Sequence, residues 1–177
     1  PSSSQLLWII DIYSFVLAGL LVTMGALGDR IGRRRLLTIG AGAFSVASLV
    51  SAFSTSPEML IGARALLGIA GATLMPSTLS LIRNIFMDER RRQFAVAVWA
   101  TMFSVGAVVG PIIGGLLLEH FWWGSVFLAG VPVTGALLVA APRLVPESKD
   151  PQPGAFDLTS AALSMLTMIP SVYSVKM

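Results

Sequence analysis

Cysteine is absent from this chain of 177 residues, and histidine occurs once, as His120. Without cysteine the sequence has no disulfide, no thiol nucleophile and no cysteine metal site. A single histidine cannot build a metal cluster, and no grouping of serine, histidine and aspartate is credible around it. We therefore expect no enzymatic activity, no metal site and no cofactor.

Charge is also scarce, since charged residues make up 12% of the chain, whereas soluble domains carry about 25%. Hydrophobic residues reach 55% and the mean hydropathy is +0.81, which indicates a membrane protein. Nearly all lysines and arginines lie in three short segments: Arg30, Arg33, Arg34 and Arg35; Arg83, Arg90, Arg91 and Arg92; Arg143 and Lys149. Nearly uncharged stretches separate these segments. This is the positive-inside pattern and not a basic face for nucleic acid.

Six apolar segments follow one another along the chain: Leu6–Leu27, Leu36–Phe53, Met59–Ile82, Phe94–Leu118, Phe121–Ala141 and Leu158–Val175. At about 1.5 Å per residue, each is long enough to span a hydrocarbon core of about 30 Å. The predicted fold class is therefore an all-α membrane protein, a polytopic bundle of six membrane-spanning helices.

The distribution of arginine predicts the orientation of these helices. If the basic segments lie in the cytoplasm, Leu6–Leu27 runs from outside to inside, and the outer connections are Ser54–Glu58 and Glu119–Gly124. Neither outer connection contains lysine or arginine. Three tryptophans fall at the same outer level, where interfacial aromatic residues belong: Trp8, Trp122 and Trp123. Charge and aromatic positions therefore predict the same topology.

The most basic connection, Gly25–Leu37, reads GALGDRIGRRRLL. We expect Gly25 to lie where the first helix ends and Gly32 to adopt the positive φ of a tight reversal. Asp29 stands among arginines, which suits an ion-pair cluster at the membrane face. From charge alone, this segment could equally be a positive-inside anchor.

Eight of these residues match the pattern G-x-L-a-D-r-x-G-r-k-x-x-l: Gly25, Leu27, Asp29, Arg30, Gly32, Arg33, Arg34 and Leu37. The segment closely resembles the loop between helices 2 and 3 of the major facilitator superfamily. The resemblance implies a secondary transporter with a cytoplasmic gate in this loop. In that gate we expect Asp29 to pair with Arg83 or Arg33.

Residues 143–156 form a charged, proline-rich segment that predicts a cytoplasmic linker. A short linker followed by another span is similar to the fourteen-helix drug:proton antiporters, which expel quaternary ammonium compounds and dyes. The stretches WIIDIYSFVLAGLLVTMGALGDRIGRRR and RALLGIAGATLMPSTLSLIRNIF also resemble that branch. The resemblance implies that 1–142 hold about helices 2–6 of the amino-terminal domain and that 157–177 hold about helix 7. The first helix and the carboxy-terminal half are then expected to be missing.

Asp11 and Arg64 are the two charges inside the predicted spans. Asp11, Ser14, Ala18 and Gly25 recur at helical spacing, which predicts one small, polar face. On such a face a carboxylate attracts a cationic substrate or takes up a proton. The alternative is that Asp11 is a solvated cap near the surface.

Arg64 and Gly68 match two positions of the helix-4 motif R-x-x-q-G, although Leu67 replaces the glutamine. The resemblance implies that Arg64 takes part in proton coupling. The carboxylate usually named with it lies on helix 1 of the family. A structural arginine that bonds to helix carbonyls is the alternative.

The fourth apolar segment contains GAVVGPIIGG. Gly106, Gly110 and Gly114 recur every four residues, so they share a face that another helix can approach closely. Pro111 removes one backbone hydrogen bond and is expected to kink or stiffen the helix. Together with Gly115, the pattern resembles the antiporter motif of helix 5, which implies an exporter. A general packing face is the alternative.

These features predict a proton-coupled multidrug exporter of the bacterial inner membrane, which would expel cationic or amphipathic compounds by alternating access. Its partners would be the lipid bilayer, drug-like cations and protons, with the proton gradient as the driving force. Three alternatives stay open: an exporter of one metabolite, an importer, and a truncated membrane remnant or assembly partner that does not transport.

Overall fold

The computed structural model describes residues 2–148 together with Leu163 and Leu166. Six helices occur in this part of the chain: α1 (Ser3–Ile31), α2 (Arg33–Ala52), α3 (Pro57–Ile85), α4 (Glu89–His120), α5 (Ser125–Leu128) and α6 (Gly130–Leu144). All regular secondary structure in this range is helical, as the apolar segments predicted.

Polar caps start three of the long helices before their apolar segments begin. The Ser2 side chain accepts a hydrogen bond from the backbone N–H of Gln5, and the Gln5 side chain accepts one from the Ser2 N–H, which completes a capping box. Ser56 and Asp88 cap α3 and α4 in the same way, by accepting from backbone N–H groups one turn later. The helices are therefore longer than the apolar segments that predicted them.

Within the described part of the chain, five helical stretches are long and apolar enough to cross a membrane, and the fifth is formed by α5 and α6 together. Ala129 separates α5 from α6, so the predicted segment Phe121–Ala141 is not one continuous helix. Pro132 lies in the first turn of α6, where its missing N–H would have no helical partner. The sixth predicted segment, Leu158–Val175, lies outside the described residues except for Leu163 and Leu166.

The helices pack unevenly. α1 lies mainly against α3, and α2 lies between α3 and α6. Leu37, Leu81 and Ala141 from these last three helices form a buried cluster. By contrast, α4 touches α3 and α5 only sparsely and has no buried residue among those described. The packed part of the structure is therefore α1, α2, α3 and α6.

The two ends of the bundle differ in chemistry. At one end the Gln5 amide donates to the Glu58 carboxylate at 2.5 Å, and the rings of Phe53 and Trp122 lie 6.2 Å apart. We call this the tryptophan end. The other end, named here the arginine end, comprises Asp29–Arg35, Asn84 and Val145–Ser148, which hydrogen-bond to one another. The predicted outer connections and the basic segments thus gather at opposite ends.

The reversal between α1 and α2 is tighter than predicted. Gly32 alone separates the two helices, and its φ of +109° is the positive value that the sequence predicted. The prediction that α1 ends at Gly25 is wrong, because the helix continues to Ile31. No residue between Gly25 and Ile31 disrupts helical hydrogen bonding. Gly25 instead faces α3, where an added Cβ would lie 3.7 Å from Pro76 Cβ.

Candidate functional site

Gly68 brings α3 unusually close to α1. A Cβ at this position would lie 2.7 Å from the backbone oxygen of Tyr13 and 3.0 Å from Val16 Cβ. Any side chain larger than that of glycine would therefore collide with the α1 backbone. Arg64 lies one turn before Gly68 on the same helix, so its long side chain can reach α1.

The Arg64 side chain is held by α1 and α5 together. Its Nη2 donates a hydrogen bond to the carbonyl oxygen of Ile10 at 3.3 Å. Its Cζ lies 5.7 Å from the ring centre of Tyr13 and 6.0 Å from that of Phe127. Rings at this distance stabilise a guanidinium by about 0.5–2 kcal/mol, depending on how far the pair is desolvated. We call these four residues the Arg64 clamp.

One nitrogen of the clamp has no partner. Arg64 Nε is buried and makes no hydrogen bond within the described part of the chain. The bond to Ile10 is what a structural arginine would make, whereas an unpaired N–H leaves capacity for another acceptor. Within the described residues, Arg64 thus has one bond typical of a structural arginine and one N–H available to a further acceptor.

Asp11 follows Ile10 directly, so the Arg64 bond ends on the turn of α1 that carries this carboxylate. The two charges that the sequence placed inside the spans thus lie at one level of adjacent helices. Asp11 and Ala18 are half-buried and Ser14 is exposed, but Gly25 of the predicted polar face contacts α3.

At the arginine end, Asp29 pairs with Arg33, one of its two predicted partners. Arg33 Nη2 lies 2.7 Å from Asp29 Oδ1, and Arg33 Nε donates to the same oxygen at 2.9 Å. The other predicted partner, Arg83, is exposed and forms no ion pair with any described residue. The pair spans the reversal at Gly32, so it ties the end of α1 to the start of α2.

Glu147 was not predicted as a site residue, although it contacts the same reversal. Its Oε1 accepts a hydrogen bond from the backbone N–H of Arg34 at 3.1 Å. Its Oε2 lies 3.6 Å from Arg34 Nε and 3.8 Å from Arg35 Nε. More than a hundred residues separate the two partners along the chain. The one available signal was an acid in the predicted linker, at the level of the arginine segment.

The glycine pattern of α4 has no helix against it in the described residues. A Cβ added at any of its four glycines would meet no atom within 4 Å: Gly106, Gly110, Gly114 and Gly115. α4 continues through Pro111 as one helix. A side-chain hydrogen bond joins α4 to α3: Trp99 Nε1 donates to Thr78 Oγ1 at 3.2 Å.

Several known proteins are similar in sequence to this chain. The multidrug efflux pump LfrA of Mycolicibacterium smegmatis is 61% identical over 99% of this chain, which covers 35% of that protein's length. The methyl viologen resistance protein SmvA of Salmonella typhimurium is 47% identical over 99% of the chain, again 35% of its length. The methylenomycin A resistance protein of Bacillus subtilis is 39% identical over 81% of the chain.

The chain thus spans about a third of the length of these relatives. The sequence profile described as Major Facilitator Superfamily matches residues 1–173. The predicted family resemblance is therefore confirmed over nearly the whole chain. This chain belongs to the major facilitator superfamily of membrane transporters.

Proposed function

We propose that this chain is part of a proton-driven multidrug exporter of the fourteen-helix branch, in the bacterial inner membrane. Two domains would rock about a site near the bilayer midplane, as is usual for secondary transporters. The arginine end would face the cytoplasm, since translocation of a connection rich in arginine is unfavourable. The proton gradient would supply the driving force, without a cofactor.

One observation carries this proposal: Arg64 binds the α1 turn that holds Asp11, because its Nη2 donates to the carbonyl of Ile10. A charge in the membrane costs about 2.5–3.5 kcal/mol on insertion scales, so two charges at one level are not expected from a passive anchor. A carboxylate that binds a proton in one state and a cationic cargo in another can exchange the one for the other. The relatives named as efflux and resistance proteins support the same function.

A narrower exporter is the second candidate, because some relatives are named for resistance to a single compound. The two candidates differ in how they depend on charge. A multidrug site selects by charge and apolar surface, whereas a site for one metabolite adds hydrogen bonds that reject close analogues. A substrate panel with different charges therefore separates them.

Substitutions at Asp11 test the proposal. They are made in the whole protein that the reading frame of this chain encodes. At about 4 Å and an effective dielectric near 20, a carboxylate attracts a monovalent cation by about 4 kcal/mol. Asp11→Asn keeps the shape and removes the charge, so efflux of a dication and a monocation should fall more than efflux of a neutral compound. Asp11→Glu should restore part of the loss.

Glu119→Gln is the matched control, because Glu119 is an exposed acid near the end of α4. It should leave all three effluxes unchanged. A uniform loss for all three compounds in Asp11→Asn would assign Asp11 to proton coupling and not to cargo selection. An unchanged profile in both Asp11 variants would mean that Asp11 is a solvated cap.

A further inference from the structure

The start of α2 carries an unfavourable distribution of charge. Three successive arginines, Arg33, Arg34 and Arg35, occupy its first turn. The amino end of a helix carries a positive partial charge and leaves backbone N–H groups without helical partners. Gly32, the residue before the helix, has no side chain to cap them. An acceptor from elsewhere in the chain therefore stabilises a helix start of this kind.

Residues 145–148, which follow α6, supply that acceptor. The Ser148 carbonyl accepts a hydrogen bond from the Arg33 N–H at 2.9 Å, and Glu147 Oε1 accepts from the Arg34 N–H at 3.1 Å. The Val145 carbonyl accepts from Arg34 Nη1 at 3.2 Å. Two backbone N–H groups and one guanidinium of α2 are thus satisfied by one short segment.

The segment is also fastened to α3. The Asn84 amide donates to Ser148 Oγ at 2.5 Å, close to the end of α3. The Glu147 carboxylate lies directly over Gly32. A Cβ added at Gly32 would lie 2.5 Å from Glu147 Oε1. Residues 145–148 therefore bridge α2 and α3 immediately after α6 ends. Only glycine at position 32 leaves room for the Glu147 carboxylate.

We propose that Val145–Ser148 is a clasp on the amino end of α2 and that Glu147 is a positioning residue for the Asp29–Arg33 pair. The reason is geometric. The Ser148 carbonyl and Glu147 Oε1 accept from the backbone N–H groups of Arg33 and Arg34, and so fix the helix start from which the Arg33 side chain pairs with Asp29.

Within the clasp the hydrogen bonds matter more than the ion pairs. The ion pairs are long and partly exposed, and such pairs contribute little. The Oε1 bond from a backbone N–H at a helix start is charge-assisted and has a fixed geometry. Glu147→Gln keeps the size of the side chain and removes its charge, so it weakens both kinds of contact at once.

Docking of the clasp is measured by cysteine cross-linking between positions 84 and 148. The chain has no native cysteine, so in Asn84→Cys/Ser148→Cys the two introduced thiols react alone once any cysteine beyond these residues is replaced by serine. This double variant removes the Asn84–Ser148 hydrogen bond, so docking in it depends on the contacts of 145–148 with α2. A short bifunctional thiol reagent should join the two thiols in membranes. Adding Glu147→Gln should slow the reaction several-fold, because an amide oxygen can still accept from the Arg34 N–H but makes a weaker bond than the charged carboxylate. Glu119→Gln is the control and should not change the rate. Equal rates with and without Glu147→Gln would overturn the clasp.

Efflux measurements test the positioning role of Glu147. This test rests on the proposed function, an exporter with its cytoplasmic gate at the Asp29–Arg33 pair. Efflux is normalised to the amount of protein in the membrane. Glu147→Gln should lower the maximal rate several-fold while the KM for a cationic dye stays nearly constant, and Glu147→Asp should restore part of the rate. A loss of protein from the membrane with unchanged normalised efflux would overturn the positioning role. Full efflux in both Glu147→Gln and Asp29→Asn would instead overturn the gate itself, which distinguishes the two failures.

Discussion

Gly68 and Arg64 act together on α3, although one has no side chain and the other has a long charged one. Gly68 permits the backbones of α1 and α3 to approach, and Arg64 uses that approach to reach the carbonyl of Ile10. The glycine therefore controls where the guanidinium lies. This relation explains in physical terms why the two residues occur one turn apart.

Gly68→Ala should destabilise the protein, because the new methyl group would lie 2.7 Å from the Tyr13 oxygen. Overpacking of this kind costs about 1–3 kcal/mol. We expect a lower Tm for the purified protein in detergent, and lower efflux per molecule because Arg64 moves away from α1.

Gly62→Ala on the same helix is the matched control, since a Cβ there meets no atom within 4 Å of the described chain. Alanine favours a helix interior over glycine by about 0.5–1 kcal/mol, so the Tm should stay level or rise. The same fall in Tm for both variants would show that the close approach at Gly68 is not what the protein depends on.

For single residues, the sequence predicted that Arg64 and Gly68 are functional positions. It did not predict that two aromatic rings contact Arg64. Periodicity placed Arg64 inside a span, whereas its contacts with Tyr13 and Phe127 join three helices that are distant along the chain. Such contacts depend on how helices pack, which a single sequence does not specify. Glu147 was missed for the same reason, because its partners lie on α2.

The helices differ in how much of their surface the described chain covers. Apolar length predicted six spans, including the five in the described part of the chain, since a bilayer fixes how many residues a helix needs. Their ends were not predicted, because Ser56 and Asp88 begin α3 and α4 outside the apolar segments. The interruption of the fifth span at Ala129 was also missed, since both α5 and α6 are apolar.

α4 is the helix with the most open surface, and its glycine pattern gives the next prediction. Gly110→Leu or Gly114→Leu places a large side chain on the face that the sequence predicts to pack closely against another helix. If another helix packs there during the transport cycle, efflux should fall about tenfold or the membrane should leak protons. The amount of inserted protein should stay the same. Efflux and proton uptake in vesicles measure both effects.

Gly135→Leu on α6 is the control, because Gly135 also has no neighbour within 4 Å but lies outside the pattern. We expect it to transport normally. If leucine were tolerated at Gly110 and Gly114 as well, the pattern would be a general small-residue face and would no longer favour an exporter.

At the scale of the whole molecule, charge separates the two ends of the bundle. The ion pairs of Asp29 and Glu147 lie at the arginine end, together with the tight reversal at Gly32. The tryptophan end is held by an amide–carboxylate bond and an aromatic contact. The sequence predicted this difference between the two ends, because it depends only on which connections contain arginine. The pairing within the arginine end required the structure.

The Asp29–Arg33 pair gives a prediction about this polarity, because it joins α1 to α2 at the proposed cytoplasmic gate. Asp29→Asn should lower efflux while leaving membrane insertion intact, since the remaining arginines still fix the orientation. A partly exposed pair contributes about 1 kcal/mol at most, which corresponds to a change of about fivefold in the gate equilibrium. Efflux of a cationic dye, normalised to inserted protein, measures the effect.

Exchanging the two charges tests whether the pair itself holds the gate. Asp29→Arg with Arg33→Asp puts a cation at the end of α1 and an anion at the start of α2, and both placements are favourable for the helix dipoles. If the gate depends only on this pair, the double variant should regain most of the efflux that Asp29→Asn loses. If efflux stays low although each single variant inserts normally, Asp29 or Arg33 binds a further group outside this pair. Wild-type efflux in Asp29→Asn alone would remove the pair from the gate altogether. We expect substantial recovery, because Asp29 and Arg33 already satisfy each other at 2.7 Å across the reversal.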